Sequence, residues 1–196
     1  MTDPVEGFST STEPPAAGRL LVATPDLRDP SFRGAVVLVL DHDEDGSLGV
    51  ILNRPTAIVV SSVLPAWTSA VSPPEVLFEG GPVSRDSALA VARVPYDAPE
   101  PVGFRRIVGD LGIVDLDTPI DVVSGALTGM RVFAGYAGWG AGQLDTELEE
   151  QAWYVVDSRA EDVFVPDVSK LRQDVLRRQP GELAWVSTRP EDPNHN

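Results

Sequence analysis

The chain has 196 residues, 42% of them hydrophobic, no cysteine, and a formal charge of −15 from 30 acids against 15 bases. Lacking cysteine, it can form no disulfide, thiolate nucleophile or thiolate metal site. An acidic surface of this size repels phosphate backbones, which disfavours direct nucleic-acid binding, and the length suits a single domain with one sizeable core.

Residues 1–18 carry three prolines among Ser, Thr and Gly and little to bury, so they are expected to be a disordered tail, with ordered structure from Arg19. They lack the basic start and apolar run of a secretory signal. The longest wholly apolar run, Ala35 to Leu40, is far short of the about 20 residues that cross a bilayer, which leads to the expectation of a cytoplasmic protein with no membrane contact.

Arg19 to Thr24 reads as a strand stopped by Pro25, followed by a polar connection whose Leu27 and Phe32 return to the core. Ala35 to Leu40 reads as a strand buried on both faces, and Ser47 to Asn53 as its hairpin partner across the turn-forming Asp41 to Gly46. Ile58, Val59, Ser62 and Val63 have roughly helical spacing before Pro65. Strands are expected at Val76 to Glu79, Ala88 to Val94, Phe104 to Val108 and Gly112 to Leu116.

Thr118, Pro119 and Asp121 spell a helix start that Gly129 ends. An apolar strand from Arg131 then leads into a glycine-rich loop (Gly135, Gly138, Gly140, Gly142), a short acidic helix and a second apolar strand. A helix over Val168 to Gln179, capped by Asp167 or Ser169, and a closing strand over Leu183 to Ser187 complete the domain at residue 188, before a polar tail over 189–196. Strands and helices mix without regular β-α-β alternation, which predicts an α+β fold with a mixed, strongly curved sheet.

Several clusters invite a chemical reading. Asp41, Asp43, Asp45 and Gly46 copy the first half of a calcium loop, but the twelfth position, where a bidentate Glu belongs, is Leu52, so no metal site is expected. His42 and His195 are the only histidines, and neither setting suits a Ser-His-Asp triad. Asn53, Arg54 and Pro55 close a buried strand; Arg54 has the planar fork for an anion or for an acid of the protein itself. Gly80, Gly81 and Pro82 permit positive φ or close backbone approach.

In the acidic helix, Leu144 and Leu148 mark the inward face, and Glu147 lies beside it on the side of Gln151, while Asp145, Glu149 and Glu150 point away. Glu147 is therefore expected at least half-buried, taking donors from loop N–H groups or Gln143. Trp139 reads as a plug on the core more readily than as a stacking platform.

GRLLVATPDLRDPSFRGAVVLV, GSLGVILNRP, GGPV and FAGYAGWGAGQLDTELEEQAW occur in that order, and over residues 18–188 the chain resembles the YqgE/AlgH family of small bacterial proteins. The resemblance implies a complex α+β fold around a closed or nearly closed mixed β-barrel with helices packed outside. It implies no defined reaction and no cofactor, and some members carry the label of transcriptional regulator. Without cysteine, no thiol-based role suggested for relatives can operate here, and no helix-turn-helix with basic residues supports direct DNA contact.

The leading expectation is a non-catalytic binding or regulatory protein that recognises a protein or small-molecule partner at a rim built from Asn53, Arg54, Pro55, Gly80, Gly81, Pro82, Tyr136, Trp139, Gln143 and Glu147. The alternative is a carboxylate-dependent hydrolase or transferase using Glu147 with Arg54.

Overall fold

The fold is a single curled sheet, and its strands follow from short β-branched runs separated by turn residues. In the computed structural model the described residues are 14–188, so the expectations for 1–13 and 189–196 lie outside them. The strands are β1 (Leu20–Ala23), β2 (Val36–Asp43), β3 (Gly46–Ile51), β4 (Pro55–Val59), β5 (Val76–Glu79), β6 (Val83–Arg93), β7 (Phe104–Val108), β8 (Leu111–Val114), β9 (Gly129–Gly140) and β10 (Trp153–Val156). The helices are α1 (Ile120–Val123), α2 (Gln143–Glu149), α3 (Ala160–Phe164), α4 (Leu171–Arg177) and α5 (Leu183–Val186).

The sheet runs in the order β10-β1-β2-β3-β9-β6-β8-β7, with β5 parallel to β9 and β4 antiparallel to β5. All the other pairings are antiparallel, so the sheet is mixed, and it curls into a half-barrel rather than a closed one. β2 is buried on both faces: Val36, Leu38 and Leu40 join a core that α3 and α4 cover, while Val37 and Val39 face an aromatic core shared with α2. A third core under β6, β8 and β9 takes Trp67 and Val123.

The centre of the sheet is a wedge. Along one edge of β9, β3 pairs from Gly140 back to Ala137, and β5 then takes over at Ala134 and Phe133. Gly80 fills the handover: its carbonyl accepts the Ile51 N–H at 2.9 Å and its N–H donates to the Ala134 carbonyl at 2.9 Å. Opposite, β6 bulges between Val83 and Ala88 while β9 passes through Gly135 at φ +69. A Cβ at Gly80 would stand 2.2 Å from the Gly135 oxygen, and one at Gly81 2.2 Å from the Tyr136 backbone, so only glycine fits the crossing.

Several elements differ from the sequence reading. The glycine run through Gly140 is strand, not loop, because β3 and β6 both need those backbone groups. Ile58 to Val63, spaced like a helix, is strand β4 and then a short 3-10 turn at Val60–Ser62: its β-branched residues pair with β5 instead. Leu183 to Ser187 is helix α5, which reaches no strand edge; it folds back on the α4 side with local bonds such as Ser187 N–H to the Leu183 carbonyl.

Helix boundaries shift as well. Thr118 does not cap α1, which starts at Ile120; its side chain packs instead against the bare Cα of Gly103. Asp167 accepts the Ser169 N–H at 2.9 Å and so closes a turn ahead of α4 rather than capping it. Order begins before Arg19: Pro15 and Gly18 are buried, Gly18 N–H donates to the Val39 carbonyl at 2.7 Å, and Ser158 Oγ donates to the Gly18 carbonyl.

Gly80→Ala sets a methyl group against a backbone oxygen that cannot move without breaking the β5–β9 ladder. It should cost about 3 kcal/mol in urea unfolding, while Gly109→Ala, whose added Cβ meets nothing within 4 Å and whose φ is +51, should cost about 1 kcal/mol.

Candidate functional site

Glu147 gathers the aromatic end of the molecule. The end of β9 supplies Trp139, the start of β10 supplies Trp153, and α2 places Glu147 between them. Both indole N–H groups donate to Glu147 Oε2, at 2.9 and 2.8 Å, and Gln143 Nε2 donates to Oε1 at 3.0 Å. Gln143 in turn accepts the Gly140 N–H at 3.1 Å. Glu147 is half-buried, as its helix position predicts, and Gln143 is one of its donors; the other two are indoles rather than loop amides.

Trp139 and Trp153 are 5% and 2% exposed and meet edge-on at 5.9 Å. Phe32 completes the cluster, stacked on Trp139 at 5.9 Å and edge-on to Trp153 at 5.5 Å. A ligand-stacking platform needs an open ring face, and Trp139 has none.

The strand-end motif holds the loop that carries Phe32. Asn53 Oδ1 accepts the Val36 N–H at 3.0 Å and Asn53 Nδ2 donates to the Gly34 carbonyl at 2.9 Å. Arg54 donates to the Ser31 carbonyl and, at 3.2 Å, to the Arg33 carbonyl. Its fork grips backbone oxygens, not an acid or an anion. Asn53, Arg54, Trp139, Gln143 and Glu147 are thus brought into one connected framework, running from strand end through loop and aromatics to α2.

Gly80, Gly81 and Tyr136 meet separately, in the backbone crossing under the β6 bulge; Pro82 is exposed at its mouth and Pro55 is exposed at the start of β4. At the hairpin tip, Asp43 Oδ1 accepts the Asp45 and Gly46 N–H groups at 2.9 and 3.2 Å, and His42 Nδ1 lies 2.8 Å from Ser47 Oγ. The tip carboxylate is engaged in closing its own turn. Among the described residues no group of three His, Asp or Glu side chains converges on a metal-sized space.

A shallow cleft of about 470 Å³ lies elsewhere, between the Ser69–Pro73 segment and the Ser124–Gly129 turn. Its hydroxyls come from Ser69, Ser72, Ser124 and Thr128, and none of the sequence-selected residues lines it. Ser72 Oγ accepts the Met130 N–H at 3.2 Å.

One residue was missed. Arg131 is fully buried on β9, donating to the Val165 carbonyl at 3.2 Å and the Pro73 carbonyl at 2.8 Å, with its guanidinium 4.2 Å from the Phe78 ring centroid and Nε unpaired. No acid neutralises it among the described ion pairs. Burial pushes its pKa down to about 10. A lone cation inside the apolar run from Met130 to Ala134 was the available signal: on a strand buried on both faces every position turns inward. Arg131 ties the Pro73 segment and the end of α3 to the centre of the sheet.

These observations define an α+β half-barrel whose conspicuous polar side chains are engaged in holding its own loops. A family model described as AlgH-like matches residues 20–184. The chain belongs to the YqgE/AlgH family. It is 56% identical to a UPF0301 protein of Streptomyces avermitilis over 182 residues, covering 91% of this chain and 94% of that one. It is 41% identical to a UPF0301 protein of Mycobacterium bovis, covering 99% and 97%. The crystal structure of protein DIP2367 from Corynebacterium diphtheriae superposes with a TM-score of 0.86 at 32% identity, covering 91% and 95%. The solution structure of the AlgH protein from Pseudomonas aeruginosa shares the fold, with a TM-score of 0.64 at 24% identity, covering 92% and 97%.

Glu147→Leu strands two buried indole N–H groups and should cost about 3 kcal/mol in chemical unfolding with a red-shifted tryptophan emission, whereas Glu147→Gln, which keeps an acceptor, should cost about 1 kcal/mol. Arg131 gives a pH signature. Its folded pKa of about 10 lies below the usual guanidinium range, so above about pH 10 the unfolded chain holds the proton that the folded one has lost, and stability rises with pH. Urea midpoints measured at about pH 9 and about pH 11 should move in favour of the wild type relative to Arg131→Met.

Proposed function

We propose that this protein is a non-catalytic binding or regulatory scaffold of the cytoplasm, engaging a protein or small-molecule partner at the surface around the β5–β6 turn and the start of α2. One observation carries this reading. Glu147 accepts three side-chain donors and Arg54 donates to two carbonyls, so the pair that a hydrolase or transferase would use is spent on structure. A general base needs a free lone pair on the proton it takes, and an anion clamp needs free N–H groups. Nothing in the comparisons supports the hydrolase alternative.

Of the rim residues, Pro55, Pro82 and Gln143 are exposed and Tyr136 is half-exposed; Gln143 is held by Gly140 and Glu147, and the others remain available to a partner. Asn53, Arg54, Gly80, Gly81, Trp139 and Glu147 shape the surface from below. Among the described residues no helix is long and apolar enough to cross a membrane. A regulatory role works through a protein partner, since a chain of charge −15 gains little from counterion release on DNA.

The test separates surface from scaffold. Affinity capture with the wild type should retain a partner that a Pro82→Asp variant loses at unchanged melting temperature, while Glu147→Gln keeps the partner with a lowered melting temperature. Loss of a measurable turnover in folded Glu147→Gln, with partner retention unaffected, would replace the scaffold by an enzyme.

A further inference from the structure

The cleft of about 470 Å³ between the Ser69–Pro73 segment and the Ser124–Gly129 turn lies apart from the surface proposed for the partner, and its size suits a small molecule. No charged side chain lines it; its polar side chains are hydroxyls, from Ser69 and Ser72 on one segment and from Ser124 and Thr128 on the other. Among the described residues the side chains of Ser69 and Ser124 hold no hydrogen bond. Ser72 Oγ accepts the Met130 N–H at 3.2 Å, which leaves its own proton to donate. Only the Thr128 hydroxyl is committed, to the Arg93 carbonyl at 3.2 Å. Three hydroxyl donors from two distant segments thus share one opening, and Gly129 keeps it clear: a Cβ there would stand 3.3 Å from Ser72 Oγ.

Hydroxyls both donate and accept, so they do not by themselves choose a ligand. The charge behind them does. Arg131 follows Gly129 by two residues on β9 and leaves the strand on the same face. The Cβ direction of Gly129 meets Ser72 and Phe164, and the Arg131 guanidinium reaches their chain neighbours, donating to the Pro73 carbonyl at 2.8 Å and the Val165 carbonyl at 3.2 Å. Pro73 is itself part of the cleft wall. Arg131 is fully buried, has no acid partner among the described ion pairs and keeps Nε unpaired. A buried charge without a counter-charge is costly. A chain of charge −15 repels anions over most of its surface, and an uncharged opening with a cation one layer down is the exception.

We propose that this cleft binds a small molecule through an oxyanion group, a carboxylate or a phosphate, which accepts from the hydroxyls of Ser69, Ser72 and Ser124 while Arg131 supplies the counter-charge from behind Pro73. The hydroxyls fix where the oxygens sit, and Arg131 favours oxygens that carry charge. Val71 and Leu127 give apolar contact to the remainder of the molecule.

Titration of the isotope-labelled full chain with inorganic phosphate and with acetate, at an ionic strength held constant with sodium chloride, tests this by amide chemical shift. The expected result is a set of shifts at residues 69–72 and 124–129 that saturates at about 1 to 10 mM for at least one of the two anions, the tighter one naming the group. Ser69→Ala and Ser124→Ala should each weaken that anion about tenfold at an unchanged melting temperature. Arg131→Met should weaken it as well, Arg131→Lys should keep it, and the serine variants decide if Arg131→Met does not fold. Partner capture by the two serine variants should stay at the wild-type level, so this site and the partner surface stand or fall separately. No saturable shift with either anion, shifts that survive both serine variants, undiminished binding by folded Arg131→Met, or an equal response to glycerol would overturn the assignment, the last pointing to a neutral polyol instead.

Discussion

Everything in this molecule hangs on the way one edge of β9 is shared. A strand edge ordinarily serves one neighbour; here β3 leaves it at Ala137 and β5 enters at Ala134, with Gly80 bonded to both sides of the gap. Two strands diverging from one edge force the sheet to open between them, and the half-barrel curl follows from that divergence. The crossing demands bare backbone at Gly80, Gly81 and Gly135, since carbonyl oxygens lie where Cβ atoms would be. The glycines that look like a ligand cradle are the condition for the fold.

The aromatic end obeys a similar economy. A half-buried carboxylate is costly unless its lone pairs find donors, and two buried indoles need acceptors. Glu147 answers both needs and joins α2 to β9 and β10. Phe32 closes the cluster because Asn53 and Arg54 hold its loop through four backbone groups, those of Ser31, Arg33, Gly34 and Val36. Arg131 does for the helical side what Glu147 does for the aromatic side, with carbonyls in place of indoles and a larger desolvation cost. The two side chains flank the wedge from opposite ends of β9.

Much of this was legible in the residues. The valine-rich run from Ala35 to Leu40 announced a strand buried on both faces, and the spacing of Leu144 and Leu148 singled out Glu147 among the three acids of α2. The family was legible too, in motifs of fixed order. The misreadings share one cause. Ile58 to Val63 has a helical period but β-branched residues, and the edge of β5 decided between them. Leu183 to Ser187 has strand composition, but it closes its own helical turn beside α4 instead of pairing with a strand.

The sequence by itself determined the mixed α+β class, the family, the inward turn of Glu147 and the absence of any thiol chemistry, because these depend on residue identity and on local periodicity. The tertiary structure alone decided that Gly135 to Gly140 is strand, that Arg54 grips carbonyls and that Arg131 is an internal cation. Each of these depends on which distant segment arrives at a backbone edge, and a one-dimensional pattern does not carry the positions of edges.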